Sequence, residues 1–330
     1  MVWNSLARRA TSWTILVAGL WVVLALATPA PLVYEPALPE LPEDLDAWLE
    51  SSEAEAALRY PLIPGTEKRI RWRQPGARTE FAVVYLHGFS ATRQEISPVP
   101  DMVADTLGAN LFETRLTGHG RVNGAMLDAT AEDWLDDAAE AIAIGERIGE
   151  RVIVVATSTG ASLAVAMSGD ARLDNVDSIV LISPNYGPKN ENAKWLTRPA
   201  GPVIARLLVG ETRTWKAHNA EQELFWSTSY PIAATVEVMR LVDRANSPAS
   251  RQFSQNILML YSPDDNVVST EASLQAFERL NAPRKQAIAV SGAEDPSHHV
   301  LAGRILSPNK NDAVAAIIVE FLRHNRRVHD

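Results

Sequence analysis

Short apolar runs bounded by turn residues recur along the chain, at 81–86, 151–155, 178–183 and 256–261, with more polar ones around 110–113 and at 285–292 that also read as strands. Runs this short that are apolar throughout, and not alternately apolar and polar, predict strands buried on both faces. A helix of small residues follows at 161–166, and Thr130 opens another at 131–138. A strand pair around 68–72 and 81–84, parted by Gln74-Pro75-Gly76-Ala77, is expected to open the sheet through a turn. The folded domain is therefore expected over 60–330. Between the strand at 178–183 and the one at 256–261 lie about 70 residues, too many for one crossover helix. An inserted cap at about 186–250 accounts for them. It carries Trp195, Trp215, Phe225, Trp226 and Tyr230, which suit either a pocket lining or the core of the cap itself.

The N-terminal pattern is different. Arg8 and Arg9 precede a stretch from Ala10 to Tyr34 that carries no charge and has no polar face. Residues 1–34 are expected to be a membrane anchor, which would put the catalytic domain on the non-cytoplasmic side. The alternative is a signal segment cut near Ala25-Leu26-Ala27, giving a secreted or periplasmic protein. Residues 35–59 then read as an acidic linker with Pro36, Pro39 and Pro42, running into a short amphipathic helix.

Chemistry concentrates where apolar runs end. The strand at 151–155 runs into Ala156-Thr157-Ser158-Thr159-Gly160 and then directly into the small-residue helix. Small residues two before and two after a serine, at an abrupt strand-to-helix turn, are the pattern of a nucleophile elbow. Ala156 departs from its usual G-x-S-x-G form by one methyl group. A serine hydroxyl is a weak nucleophile and needs a base, a carboxylate to orient that base, and donors for an oxyanion. The strand at 81–86 ends in His87-Gly88-Phe89-Ser90, the place for an oxyanion donor. The strand at 256–261 ends in Ser262-Pro263-Asp264-Asp265-Asn266, which offers two aspartates. The last apolar run precedes Ser297-His298-His299-Val300, which offers two histidines. The order Ser, Asp, His is that of α/β-hydrolases and not that of the chymotrypsin or subtilisin folds.

With Arg115-Leu116-Thr117-Gly118-His119-Gly120-Arg121 and the helix opening at Thr130-Ala131-Glu132-Asp133-Trp134, these segments resemble the α/β-hydrolase superfamily, nearest to its carboxylesterase and monoacylglycerol lipase branch, of the serine aminopeptidase S33 type. The resemblance spans most of 65–325 and is weakest over 186–250. It implies an α/β-hydrolase fold, with a mostly parallel central sheet, helices on both faces and an inserted helical cap. It implies ester hydrolysis through an acyl-enzyme on Ser158. The x-Val-Val that follows Asp265 selects it as the acid over Asp264, and the Ser-x-His-Val form selects His299 as the base over His298. The backbone N–H groups of Phe89 and Thr159 would form the oxyanion hole. His87 and His119 are expected to be structural, because they sit in glycine turns ahead of the serine.

Composition narrows the partners. A net charge of −9 and the lack of a basic stripe with interleaved aromatics argue against nucleic acid. A small-molecule ester or lipid fits better, with the membrane engaged only through the N-terminal segment. Zero cysteines exclude disulfides and a cysteine nucleophile, and with no H-E-x-x-H spacing no metal is expected; the resemblance implies no cofactor. An amide or peptide substrate, lyase or perhydrolase chemistry, and a catalytically silent tethered binding protein stand as alternatives.

Overall fold

The computed structural model describes residues 28–33 and 40–326. Seven strands form one sheet in the order β1-β3-β2-β4-β5-β8-β9. These are β1 (Arg69–Arg71), β2 (Thr79–Leu86), β3 (Asn110–Glu113), β4 (Gly149–Thr157), β5 (Val176–Ile182), β8 (Asn256–Tyr261) and β9 (Lys285–Ala289). All neighbours run parallel except β1, which is antiparallel to β3.

The uninterrupted apolarity of the central strands follows from this arrangement. Along β2, Ala82, Val84 and Leu86 enter one core while Phe81, Val83 and Tyr85 enter the other. Val152, Val154 and Ala156 of β4 alternate in the same way with Ile153 and Val155. The first core is closed by α3 (Ala131–Ile148), α4 (Thr159–Ala166), α7 (Ile232–Ala245) and α8 (Thr270–Glu278), and the second by α2 (Val99–Leu107) and α9 (Asn311–Arg326). Helix α3 starts at Thr130 because a reciprocal capping box with Asp133 satisfies its free amides. The chain is an α/β-hydrolase fold, as its apolar pattern and its motifs imply.

One expectation fails. The segments on either side of Gln74-Pro75-Gly76-Ala77 do not pair, because β3 lies between β1 and β2. Both edges of β2 are taken, by β3 and β4. Strand β1 instead sets Arg69 opposite Glu113, and these two side chains form an ion pair.

The insertion between β5 and β8 contains a 3₁₀ helix (Glu191–Thr197), α5 (Gly201–Val209), a two-stranded ribbon of β6 (Thr212–Thr214) and β7 (Ser229–Pro231), α6 (Ala220–Phe225) and α7. Phe225, Trp226 and Tyr230 are buried, whereas Trp195 is 69% exposed.

The expected anchor or signal segment lies outside the described residues apart from 28–33. Among the described residues no helix is long and apolar enough to cross a membrane. Helix α1 (Leu45–Arg59) buries Leu45, Leu49 and Glu53, spaced four apart on one face. Glu53 accepts two hydrogen bonds from Arg115, at 2.8 Å each, with both side chains buried. A bidentate pair of this kind ties α1 to the segment after β3. Glu53→Ala would leave the Arg115 guanidinium buried without its counter-ion. It is expected to cost about 3–5 kcal/mol in urea unfolding, while Glu50→Ala on the exposed face of α1 should be close to neutral.

Candidate active site

Ser158 stands between the last residue of β4 and the first of α4, at φ 51° and ψ −112°. A serine in this region carries strain of about 1–3 kcal/mol and persists only where its surroundings over-determine it. Here they do. The Ser158 N–H donates to Ile182 O at 2.8 Å, and its carbonyl accepts from Ser162 and Asn185 at 3.2 Å each. Gly160 explains the small residue after it, because a Cβ there would stand 2.7 Å from the His87 carbonyl oxygen and closer still to that of Leu86. Ala156 explains the small residue before it, lying fully buried in the ladder between Leu86 and Leu181.

Of the two aspartates, Asp265 is buried and Asp264 is exposed in the turn. Asp265 Oδ1 accepts from the amides of Val267 (2.8 Å) and Val268 (2.9 Å), which is the physical content of the x-Val-Val that follows it. Its Oδ2 lies 2.8 Å from His299 Nδ1. That bond assigns the proton to Nδ1 and leaves Nε2 as the basic atom. Burial pulls the His299 pKa down, but the facing carboxylates of Asp265, Glu95 and Asp295 outweigh it, and the net shift is upward from the ordinary 6.5. His298 is the turn residue, at φ 54°. Ser183 Oγ donates to the His299 carbonyl at 2.7 Å, one residue beyond the carbonyl that holds Ser158. The elbow and the histidine loop thus meet at the end of β5.

Asp295 was not legible as a site residue. It is buried, and its carboxylate accepts from the amides of Ser297, His299 and Val300 and from Ser297 Oγ, at 2.6–3.1 Å. It shapes the turn that presents His299. The local signal is an aspartate two residues before a serine, a common turn pattern that carries no catalytic meaning by itself.

At the proposed oxyanion hole, the Thr159 amide lies in the first turn of α4, where helix N–H groups have no intrahelical acceptor. On the other side, the Gly88 amide donates to Glu95 Oε2 at 2.8 Å and the Ser90 amide to His119 Nε2 at 3.1 Å. The Phe89 amide lies between these two anchored neighbours. The Phe89 ring packs edge-on against Tyr230 of the cap, with centroids 4.9 Å apart. Of the five aromatic residues expected in the cap, Tyr230 makes this contact and Trp195 faces solvent.

His87 and His119 are both fully buried with rings 5.1 Å apart. His87 Nε2 accepts from the Leu116 amide (3.1 Å) and its Nδ1 donates to Gly88 O (2.9 Å). His119 repeats the arrangement with the Ser90 amide and Thr117 O. Each is therefore a neutral Nδ1–H tautomer joining the loop after β2 to the loop after β3. Burial pushes His87 down to about 4 and His119 well below 6.5. Among the described residues no group of His, Asp and Glu is arranged to hold a metal ion.

Residues 77–298 match the serine aminopeptidase S33 family. The chain belongs to this family. The match ends one residue short of His299. No curated protein matches the chain in sequence. Among solved structures, the chain is similar to one of two metagenome-derived lipolytic enzymes, LipS and LipT, at 18% identity and a TM-score of 0.64, covering 80% of this chain and 99% of that one. It is similar to the monoacylglycerol lipase of Paleococcus ferrophilus (16%, TM-score 0.57, covering 78% and 98%). It is also similar to a soluble variant of the monoglyceride lipase of Saccharomyces cerevisiae (10%, TM-score 0.56, covering 90% and 99%). At these identities the likeness is one of fold.

The buried histidine pair has a consequence for stability. Their folded pKa values are depressed, so the unfolded chain binds more protons below pH 6.5. The stability they contribute is complete above pH 6.5 and is lost as pH falls towards 4. Asp137, raised to about 6 by burial, works in the opposite sense and is common to any pair of variants compared. His119→Gln should therefore show a shallower fall of unfolding free energy between pH 6.5 and 4 than the unsubstituted protein, measured by urea titration at each pH. Equal slopes would mean that His119 is charged when folded.

Proposed function

We propose that the protein is a serine hydrolase that cleaves carboxylic esters through an acyl-enzyme on Ser158. The observation that carries this reading is the His299–Asp265 hydrogen bond, on a loop tied through Ser183 to the same end of β5 whose Ile182 carbonyl holds Ser158 at positive φ on a strand-to-helix turn. In the proposed mechanism His299 Nε2 takes the Ser158 Oγ proton as Oγ attacks the ester carbonyl. Asp265 keeps the imidazole in the Nδ1–H tautomer and stabilises the imidazolium. The amides of Phe89 and Thr159 hold the oxyanion, and His299 returns its proton to the departing alcohol. Water, deprotonated by the same imidazole, then attacks the acyl-enzyme and frees the carboxylic acid and Ser158.

The lipolytic enzymes and monoacylglycerol lipases among the similar folds support an ester or lipid substrate, and the apolar contact of Phe89 with Tyr230 suits an acyl chain. The family's peptidase name favours one second reading, an amide or peptide substrate attacked by the same residues. Tethering through residues 1–34, with the catalytic domain on the non-cytoplasmic side, remains part of the proposal. The uncharged stretch after Arg8 and Arg9 supports it.

The first test is labelling of membrane and soluble fractions with a fluorophosphonate probe, alongside turnover of matched p-nitrophenyl ester and anilide substrates. Ser158→Ala should abolish labelling and lower kcat by on the order of 10⁴-fold or more while the protein stays folded. Ester turnover retained in that variant would sink the assignment, and faster anilide cleavage would favour the amide reading.

The second test is the pH profile. Because His299 is raised and must be neutral to act as base, kcat/KM should fall on the acid side with an apparent pKa above 6.5. Asp265→Asn should move that limb to lower pH and reduce kcat by about 10⁴.

A further inference from the structure

A buried carboxyl that the mechanism does not use lies against the proposed oxyanion loop. Glu95 belongs to the loop between β2 and α2 and is 2% exposed. Its Oε2 accepts from the Gly88 amide at 2.8 Å and from Tyr85 Oη at 3.0 Å. Tyr85 Oη also lies 3.3 Å from Thr157 Oγ1, on the residue just before Ser158. Its Oε1 stands 2.7 Å from the position that a Cβ on Gly88 would occupy, and Ser158 Cβ stands 3.2 Å from the same point. Glu95 and Ser158 therefore close on Gly88 from two sides.

The backbone of Glu95 is held as firmly as its side chain. A Cβ on Gly303 would strike the Glu95 carbonyl and stand 2.9 Å from Ile96 Cα, so the chain just after His299 packs directly on this segment. The Arg304 amide donates to Ser97 O at 2.8 Å. One loop thus touches the oxyanion side, the elbow and the histidine segment together.

We infer that Glu95 is a positioning residue for the reaction at Ser158, holding the loop that carries the Phe89 amide. The inference rests on the ester-hydrolase reading above. The physical argument has two parts. An oxyanion donor is effective only when its N–H is fixed in direction before charge develops; Oε2 pins the peptide plane that enters Gly88, the Gly88 carbonyl accepts from His87 Nδ1 and the Ala91 amide, and the two holds together fix the plane that carries the Phe89 N–H. The imidazolium formed on His299 in the transition state also gains from a nearby carboxylate. The ionisable groups facing Glu95 are His299, Asp295 and Tyr85. Burial raises the Glu95 carboxyl, opposed by the Gly88 amide and His299, while the carboxylates facing His299 are Asp265, Glu95 and Asp295.

The test uses the full chain with p-nitrophenyl butyrate, comparing Glu95→Ala and Glu95→Gln. The alanine variant should lose kcat by about 30-fold or more with KM within about twofold, because the donor's direction is lost while substrate contacts stay. The glutamine variant keeps an acceptor for the Gly88 amide, and should recover kcat to within about fivefold while its acid limb moves to lower pH, since the charge facing His299 is gone. A second readout needs no turnover. The His299 imidazole, followed by NMR in ¹³C-labelled protein and assigned with His299→Gln, should titrate at lower pH in Glu95→Gln.

Unchanged kcat in folded Glu95→Ala, or an unchanged acid limb and an unchanged His299 titration in Glu95→Gln, overturns the inference. If the alanine variant does not fold, the glutamine comparison decides alone. If the unsubstituted protein neither turns over the ester nor takes the fluorophosphonate on Ser158, the ester-hydrolase reading has failed. In that case the titration alone shows whether Glu95 acts on His299.

Discussion

The carbonyl oxygens of Leu86 and His87, at the end of β2, occupy the space that any side chain on Gly160 would need. This close approach of a helix to a strand end governs the rest of the site. It brings the first turn of α4 against the end of β2 and the loop that follows it. With no room for the helix to begin later, the turn at Ser158 is left in a backbone region that residues other than glycine avoid. The strain is offset by the Ile182 carbonyl and by the adjoining ladder, in which Ala156 fits between Leu86 and Leu181.

Three buried histidines then take different states from their surroundings alone. His87 and His119 have backbone amides at Nε2 and backbone carbonyls at Nδ1, a set of partners that suits the neutral ring, and burial favours that form. His299 is also buried but faces three carboxylates, so its cationic form is favoured over that of an isolated ring. Two imidazoles thus join loops as neutral rings, while the third is held towards its charged form. The difference lies in the partners that each ring meets.

Much of this could be read from the chain. The apolar runs at 81–86, 151–155, 178–183 and 256–261 became β2, β4, β5 and β8, because strands covered on both faces leave a continuous hydrophobic record. The elbow was legible because close packing demands small residues at fixed offsets from Ser158. The x-Val-Val after Asp265 singled it out through the family resemblance, and in the structure Asp265 is the buried one of the two aspartates. The partner of β1 was hidden, since a turn signal says that the chain reverses but not which strand it reverses onto. Glu95 and Asp295 were hidden for a related reason. Their partners are backbone amides, which every residue has, so neither leaves a distinctive spacing. The Glu53–Arg115 pair joins residues far apart in sequence and looks, residue by residue, like ordinary surface charge.

The cap leaves the sheet after β5 and returns to β8, and these two strands are neighbours. Its entry is also stitched to the segment just after Asp265: the Lys189 amide bonds to Val267 O, and the Ser269 amide to Gly187 O. Lengthening an excursion whose two ends are already held side by side adds little closure entropy, about 0.6 kcal/mol for each doubling of its length. The exposed part of the excursion, residues 190–218, can therefore be exchanged or lengthened without disturbing strand register, whereas α7 is held by the core it closes. The short stitched stem is the exception. A change there would be felt at the carboxylate that orients His299, so this stem marks where freedom to vary the roof of the site gives way to the geometry of its floor.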